Sequence, residues 1–177
     1  MTPIRPRYAR IEELADSLLR DAGVNGPAVP IDAIVKARGI SIRTMDLKEV
    51  SGLVVRDGAS TVISVNKDHA QTRQRFTIAH ECAHALLHDG KEIHYDTDYR
   101  VDFRSAESSL GVNVEEMEAN FFAACILMPR RFLETDPLMA ELDVEDAPKT
   151  VKALAQRHKE SLHAMSIRLG NLSARGR

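Results

Sequence analysis

The sequence predicts an α+β fold in which several helices pack against a small three-stranded sheet. Three observations support this prediction: apolar residues recur at helical spacing over much of the chain, three short β-type runs lie in its first half, and an Asp-Gly turn signal separates the last two runs. The chain has 177 residues, of which 44% are hydrophobic. A chain of this length and composition can bury its own core without disulfide or metal staples.

The composition excludes collagen, coiled coils, disulfide miniproteins and membrane-spanning proteins. The two cysteines, Cys82 and Cys125, are too few for a disulfide framework and indicate a reducing compartment. The N-terminus carries arginines with no apolar stretch behind them, which argues against a secretory signal. The longest apolar run, Phe121–Met128, is far shorter than the roughly 20 residues that a membrane span needs. We therefore expect a cytoplasmic globular protein with no membrane partner.

The first half of the chain predicts two helices followed by three strands. An apolar stripe indicates a helix over Tyr8–Ala22, which Gly23 ends, and a shorter helix is expected over Ile31–Arg38. The three expected strands are Ile40–Met45, Gly52–Val55 and Thr61–Val65. The Asp-Gly pair at 57 and 58 predicts a hairpin between the last two of these strands.

The second half is predominantly helical in its pattern. A strong helix is expected over Gln71–His88, then a long polar loop over Lys91–Gly111, then a helix from about Glu115 to Met128 that Pro129 stops. The remaining predictions are one or two turns at Arg130–Thr135, a connection over 136–148, and two helical patterns at Thr150–His158 and Ser161–Leu172.

Charge is distributed unevenly along the chain. The net charge of −2 divides into +6 for residues 149–177 and −8 for residues 1–148. We therefore predict a main domain over 1–148 and a basic, helical C-terminal extension over 149–177. The extension is either a docking element with its own partner or a solvated basic face. Two successive helical patterns are also typical of a helix-turn-helix module, although their apolar positions suffice to explain the pair as core packing.

The motif that indicates chemistry is His80-Glu81-Cys82-Ala83-His84. On a helix, residues four apart lie one turn apart on the same face, so both imidazoles can reach one ion. Glu81 lies about 100° around the helix from His80 and can reach a water molecule beside that ion. Two histidine ligands with a glutamate as general base are typical of zinc hydrolases. The motif therefore predicts a catalytic zinc site with Glu81 as its base.

A catalytic zinc site needs a third protein ligand and an open position. The extended motif with a glycine and a third histidine is excluded, because Leu87 and Gly90 occupy those positions. The other common ligand is a glutamate from a second helix. The predicted helix 115–128 offers Glu115, Glu116 and Glu118, and spacing alone does not choose among them.

Other reactive side chains near the motif have more than one interpretation. Cys82 lies about 200° from His80 on the helix, so we expect it, like Cys125, to be a buried structural thiol. His88, one turn beyond His84, is a candidate for orienting a ligand or contacting substrate, or for a helix-end histidine that interacts with the helix dipole. The candidates in the predicted loop for stabilising an oxyanion are His94, Tyr95 and Tyr99.

Three segments of the chain resemble the ImmA/IrrE family of zinc metallopeptidases: Arg75–His88, Glu118–Pro129 and Ser161–Leu172. The resemblance runs from about residue 25 to 172 and implies a zincin-like, gluzincin-type single domain. It also implies a third zinc ligand on the second helix. Because the glutamate directly before Ala-Asn matches the family motif, we assign that ligand to Glu118, with Glu115 as the next candidate. Cys82-Ala83 departs from the family's usual Leu-Gly, and we expect slightly different packing there and no loss of metal.

The resemblance implies peptide-bond hydrolysis in a protein substrate. Family members typically cleave or antagonise helix-turn-helix repressors, often in mobile elements or stress-response systems, so we expect a repressor or antitoxin as substrate and no direct DNA binding. The alternative is a non-proteolytic regulator, or a toxin-like protein, that engages a repressor or DNA and keeps a structural or vestigial zinc site. An intact Glu81 favours the peptidase, because a structural site needs no general base.

Overall fold

The computed structural model describes residues 5–58, 60–88, 93–96, 112–140 and 147–175, and within them it has eight helices and four strands. The helices are α1 Tyr8–Asp21, α2 Ile31–Ala37, α3 Gln71–Leu87, α4 Val112–Leu127, α5 Arg130–Glu134, α6 Pro137–Ala140, α7 Ala147–His158 and α8 Leu162–Arg175. The strands are β1 Ile40–Met45, β2 Gly52–Asp57, β3 Ser60–Asn66 and β4 Ile93–Asp96. The fold is mixed α+β, as predicted. None of the described helices combines the length and the apolar character that crossing a bilayer requires.

The sheet has four described strands in the order β1-β3-β2-β4, which corrects the prediction of three strands. The predicted hairpin is confirmed, because β2 and β3 pair antiparallel with Asp57 opposite Ser60. β1 pairs with β3 in parallel, and β4 pairs antiparallel with β2. β4 falls within the stretch 91–111 that was expected to be a loop. Four residues are too few to show an alternating pattern, and pairing with β2 supplies the order that the local sequence does not predict.

The two helices α3 and α4 lie side by side at the centre of the molecule. From Ala119 to Leu127, α4 is almost entirely apolar, and all but one of these residues are buried. A helix that is apolar all round belongs in the interior, and α4 is covered by α3 on one side and by α1 on another. Tyr8 at the start of α1 packs its ring edge-on against Phe121, with centroids 4.7 Å apart. This packing brings the motif on α3 opposite the acidic start of α4.

The start of β2 passes unusually close to α3. A Cβ atom at Gly52 would collide with Cγ2 of Thr77 and would lie 3.2 Å from the backbone oxygen of Ser64 and 3.4 Å from Cγ of Glu81. At the other end of β2, Arg56 donates hydrogen bonds to the backbone carbonyls of His84 and His88. The strand therefore holds the motif-bearing part of α3 at both ends.

The C-terminal helices α7 and α8 pack onto the end of α4 through a second hydrophobic cluster. Its buried members are Ala124, Met128, Leu133, Leu154, Ala155, Ala164 and Met165. Arg168 is 2% exposed and donates a hydrogen bond of 3.0 Å from Nε to the Met128 carbonyl. Arg157 forms an ion pair of 2.5 Å with Asp136. Arg168 is therefore not part of a solvated basic face, because its side chain is enclosed in the core.

Both cysteines are buried and neither is part of a disulfide, as predicted. Burial raises the pKa of the Cys82 thiol to about 12, so it stays protonated and unreactive at neutral pH. The Cys125 side chain lies in the apolar run of α4 and is 3% exposed.

Candidate metal centre

The two motif histidines face a single point between α3 and α4. His80 and His84 are each 1% exposed, and their Nε2 atoms lie 3.1 Å apart. They come together because four residues make about one helical turn, which stacks the two rings along one face of α3. The spacing of the motif predicts this arrangement.

A carboxylate from α4 faces the same point. Oε2 of Glu116 lies 3.3 Å from Nε2 of His80, and its Oε1 lies 3.3 Å from Nε2 of His84. The possible ligand atoms of these residues all lie within 4.8 Å of one another, and within the described part of the chain no other set of three such side chains meets this condition. Two imidazoles and one carboxylate form the donor set of many catalytic zinc sites.

The structure places Glu116 at the cluster, whereas Glu118, the ligand predicted from the sequence, faces Arg7 instead. Glu118 accepts hydrogen bonds from Nε and NH2 of Arg7, at 3.0 and 2.6 Å, and from the Arg7 backbone at 2.7 Å. Two residues along a helix make a rotation of about 200°, so Glu116 and Glu118 cannot face the same point. Glu115, the next candidate, contributes no atom to the cluster.

The outer ring nitrogen of His80 shows that this site fits a cation. Nδ1 of His80 lies 3.0 Å from the amide oxygen of Asn120, one turn after Glu116 on α4. An amide oxygen only accepts, so Nδ1 carries the proton and, in the neutral ring, the Nε2 lone pair faces Glu116. A lone pair and a carboxylate that face each other at 3.3 Å repel, and a cation placed between them would be attracted to both.

Electrostatics favour the protonation states that a metal ligand needs. Burial lowers the pKa of His84 to about 3, against the opposing hydrogen bond of Glu116, so the ring is neutral at pH 7. For Glu116, burial raises the pKa, but the contacts with His80, His84 and His94 outweigh it and hold the pKa well below its usual range. Glu118 behaves similarly: burial raises its pKa, but the hydrogen bonds of Arg7 lower it to about 2. Metal ligands must be deprotonated, and His84 and Glu116 both meet that requirement.

The proposed base and a histidine from the sheet lie beside the cluster. Glu81 is 0% exposed, and its Oε2 lies 3.5 Å from Nδ1 of His94 on β4. The His94 ring stacks on His84, with centroids 3.7 Å apart, and its Nε2 lies 3.0 Å from Oε1 of Glu116. Burial lowers the pKa of His94, but hydrogen bonds to Glu116 and Glu81 outweigh it and raise the pKa to about 9. The side chain of Tyr95 and the whole of Tyr99 lie outside the described residues.

The sequence offered Glu116 as one of three candidates without selecting it, and Asn120 and Arg7 were not predicted as members of this region. The first two carry a usable signal, because residues 116 and 120 are one turn apart on α4 and therefore share the face that meets His80. Arg7 carries none, because it is 111 residues away from Glu118 in the chain. His88, left with two interpretations, lies between His84 and Glu118, with 3.1 Å hydrogen bonds to both.

Comparison with known proteins adds two findings. A profile of the peptidase M78 family, described as the IrrE N-terminal-like domain, matches residues 35–170, which run across the predicted boundary between 148 and 149. The radiation response metalloprotease IrrE of Deinococcus radiodurans is 37% identical over 111 residues. That alignment covers 60% of this chain and 30% of the relative, so the chain spans less than a third of the relative's length.

Proposed function

Because the chain belongs to the peptidase M78 family of the IrrE N-terminal-like domain, we propose that it is a zinc-dependent endopeptidase acting on a protein substrate. The observation that carries the proposal is the buried carboxylate of Glu81 next to the cluster of His80, His84 and Glu116. The cluster supplies three protein ligands, which leaves room for the open coordination position of a catalytic site.

In this proposal each side chain of the site has a separate role in the reaction. His80, His84 and Glu116 would hold zinc, which when bound makes water more acidic and polarises the scissile carbonyl. Glu81 takes a proton from the attacking water as the oxygen bonds to the carbonyl carbon, and it delivers that proton to the nitrogen as the C–N bond breaks. His94 approaches from the sheet beside Glu81, and a ring N–H there would donate a hydrogen bond to the developing oxyanion.

The proposed substrate is a helix-turn-helix transcriptional repressor or an antitoxin. The support for this substrate class is the family resemblance of the three motif segments, together with the relative's name, which describes a radiation response metalloprotease. A place in a stress response is part of the same proposal.

The alternative of a DNA-binding regulator loses support in the C-terminal helices. Its argument was the basic charge of residues 149–177, but Arg168 is enclosed in the core and Arg157 is paired with Asp136. Both side chains are therefore engaged within the protein and are poor candidates for phosphate contacts. We therefore place the peptidase ahead of the regulator.

The test is cleavage of a candidate repressor, encoded next to this protein, by the purified zinc-loaded chain. We expect defined fragments in mass spectrometry, no fragments with a zinc chelator, and a rate lowered by about 10²–10⁴-fold in Glu81→Gln. The amide keeps the shape of the side chain but cannot accept the proton. Glu115→Gln, which makes the same change outside the cluster, is the matched control and should cleave normally. A Glu81→Gln rate within a few-fold of wild type would reject the peptidase mechanism.

A further inference from the structure

The outer nitrogen of His84 begins a chain of buried hydrogen bonds that leads away from the metal centre. Nδ1 of His84 lies 3.1 Å from Nδ1 of His88, and Nε2 of His88 lies 3.1 Å from Oε2 of Glu118. Arg7 then binds both oxygens of Glu118. We propose that His88 and Glu118 are positioning residues that fix the tautomer of His84 and so direct its Nε2 lone pair at the metal. This inference rests on the proposed zinc site.

The direction of each hydrogen bond follows from the end of the chain. A guanidinium only donates, so Arg7 fixes Glu118 as a carboxylate that accepts. Glu118 can then only accept from His88, which places a proton on Nε2 of His88. When the ring holds this one proton, its Nδ1 keeps a lone pair. His84 must donate to that lone pair, so its proton is on Nδ1. The Nε2 atom of His84, which faces Glu116 at 3.3 Å, is left as the lone pair that a metal ligand needs.

Burial makes this order of donors and acceptors hard to replace. His84, His88 and Glu118 are 1%, 9% and 2% exposed. Loss of one member leaves a buried polar atom without a partner, and water cannot readily reach it to compensate. The position of His88 is itself held, because Arg56 donates to the backbone carbonyls of His84 and His88.

The same contacts connect the metal centre to the segment before α1. Arg7 donates through its backbone to Glu118 at 2.7 Å and through NH2 to the Leu87 carbonyl at 3.2 Å. The two glutamates of α4 therefore have different tasks in this proposal. Glu116 faces the ion, whereas Glu118 orients a ligand through His88.

The direct test is the protonation pattern of His84 in the metal-free protein. Long-range ¹H–¹⁵N spectra separate a protonated from a bare ring nitrogen, and in the wild type we expect Nδ1 of His84 to be protonated and Nε2 bare. In His88→Leu we expect protonation to shift toward Nε2. His88→Gln should restore the wild-type pattern, because its amide offers an acceptor to His84 and a donor to Glu118. An unchanged His84 pattern in His88→Leu overturns the proposal.

Zinc affinity supplies a second readout, measured by chelator competition on the full chain. Loss of a hydrogen-bonding partner behind a ligand typically weakens binding by about 10–100-fold, and we expect this in His88→Leu and Glu118→Gln but not in His88→Gln. His163→Gln and Glu115→Gln are the matched controls, since both lie outside the chain of hydrogen bonds. The visible spectrum of the Co²⁺ form should change in His88→Leu and stay unchanged in the controls.

The two proposals fail in different ways. Wild-type protein that binds no zinc contradicts the proposed function itself. Wild-type protein that binds zinc tightly, with His88→Leu equal to it in affinity and Co²⁺ spectrum, contradicts only the role of His88. Far-ultraviolet circular dichroism of each metal-free variant identifies unfolding, and in an unfolded His88→Leu the comparison moves to Glu118→Gln, whose wild-type affinity would overturn the inference.

Discussion

At the scale of single residues, the position of a glutamate on its helix decides what it can do. On α4, the half-buried Glu116 meets two imidazoles, whereas the buried Glu118 meets Arg7. The cause is the helical rotation between them, which turns the two carboxylates to different neighbours. Because both residues are glutamates, the same substitution at each position compares the two environments directly.

We predict that Glu116→Gln loses zinc and that Glu118→Gln keeps it when no chelator is present. The amide at 116 removes a charged ligand, whereas the change at 118 acts only through His88. Elemental analysis of protein purified without added metal should give about one zinc per chain for wild type and Glu118→Gln, and far less for Glu116→Gln. Full zinc occupancy in Glu116→Gln would contradict the proposal that Glu116 is a zinc ligand.

Glu160, between α7 and α8, is predicted to make stability depend on pH. Burial raises its pKa to about 8, although Arg75 at 3.2 Å opposes the shift. The folded protein therefore holds a proton that the unfolded chain has released above the ordinary glutamate pKa of 4.5, so stability falls as pH rises toward the folded pKa. Between pH 7 and 8 we expect a loss of about 1 kcal/mol, or about 2–4 °C in Tm.

The measurement is thermal unfolding of wild type and Glu160→Gln over this pH range. The variant should lack this part of the decline, because its amide does not titrate. The nearby His158 does not interfere, since burial lowers its pKa from 6.5 and its titration lies below the window. Parallel curves for the two proteins would show that Glu160 does not titrate there.

At the scale of elements, the close approach of β2 to α3 depends on a residue without a side chain. Gly52→Ala places a methyl group against Thr77 Cγ2 and the Ser64 carbonyl. We predict a destabilisation of about 1–3 kcal/mol, typical of overpacking, and a loss of peptidase activity, because α3 must shift at Thr77, one turn before Glu81. Chemical denaturation measures the first effect and repressor cleavage the second.

A second substitution tests the cause of that effect. Thr77→Ser removes the methyl group in the way, so the double variant Gly52→Ala/Thr77→Ser should recover part of the lost stability. Gly26→Ala is the matched control, because no atom lies within 4 Å of the position that its Cβ would take. Equal losses in Gly52→Ala with and without Thr77→Ser would show that Thr77 is not the obstacle.

At the scale of the whole molecule, the C-terminal helices are part of the hydrophobic core, in addition to any role in binding a partner. α7 and α8 cover Met128 and Leu133, which are fully buried, and Arg75 on α3 pairs with Glu160 between the two helices. Deleting residues after 147 would uncover this apolar surface. Charge reversal is therefore the better test of a docking role.

We predict that Lys149→Glu/Lys152→Glu slows cleavage of the repressor while zinc content and stability stay unchanged. Both side chains are on the exposed face of α7, where opposite charges steer association mainly through the on-rate. Lys36→Glu/Arg43→Glu makes the same change of charge on the exposed surface of α2 and β1 and should cleave normally. Salt-sensitive duplex DNA binding by wild type, lost in Lys149→Glu/Lys152→Glu, would favour the regulator instead.

The sequence predicted correctly those features that depend on residues close to one another in the chain. The helical stripes, the hairpin at Asp57-Gly58 and the pairing of His80 with His84 on one face depend on spacings of two to four residues, and the structure has each of them. β4 was not predicted, because its four residues have no alternating pattern of their own and form a strand only by pairing with β2. For a related reason, the sequence did not show that Glu118 lies away from the histidines, since a matching motif does not give the rotation of its helix.

The sequence by itself determined the α+β class, the helix that carries the two histidines, and the acidic helix that faces them. Only the tertiary structure decided that Glu116 faces the histidines, that Glu118 binds Arg7 and His88, and that Arg168 lies inside the core. The physical reason is the distance along the chain between the residues that interact. A helix or a turn is fixed by neighbours within one turn of the chain, whereas Arg7 meets Glu118 across 111 residues, and that contact forms only when α1, α3 and α4 pack together.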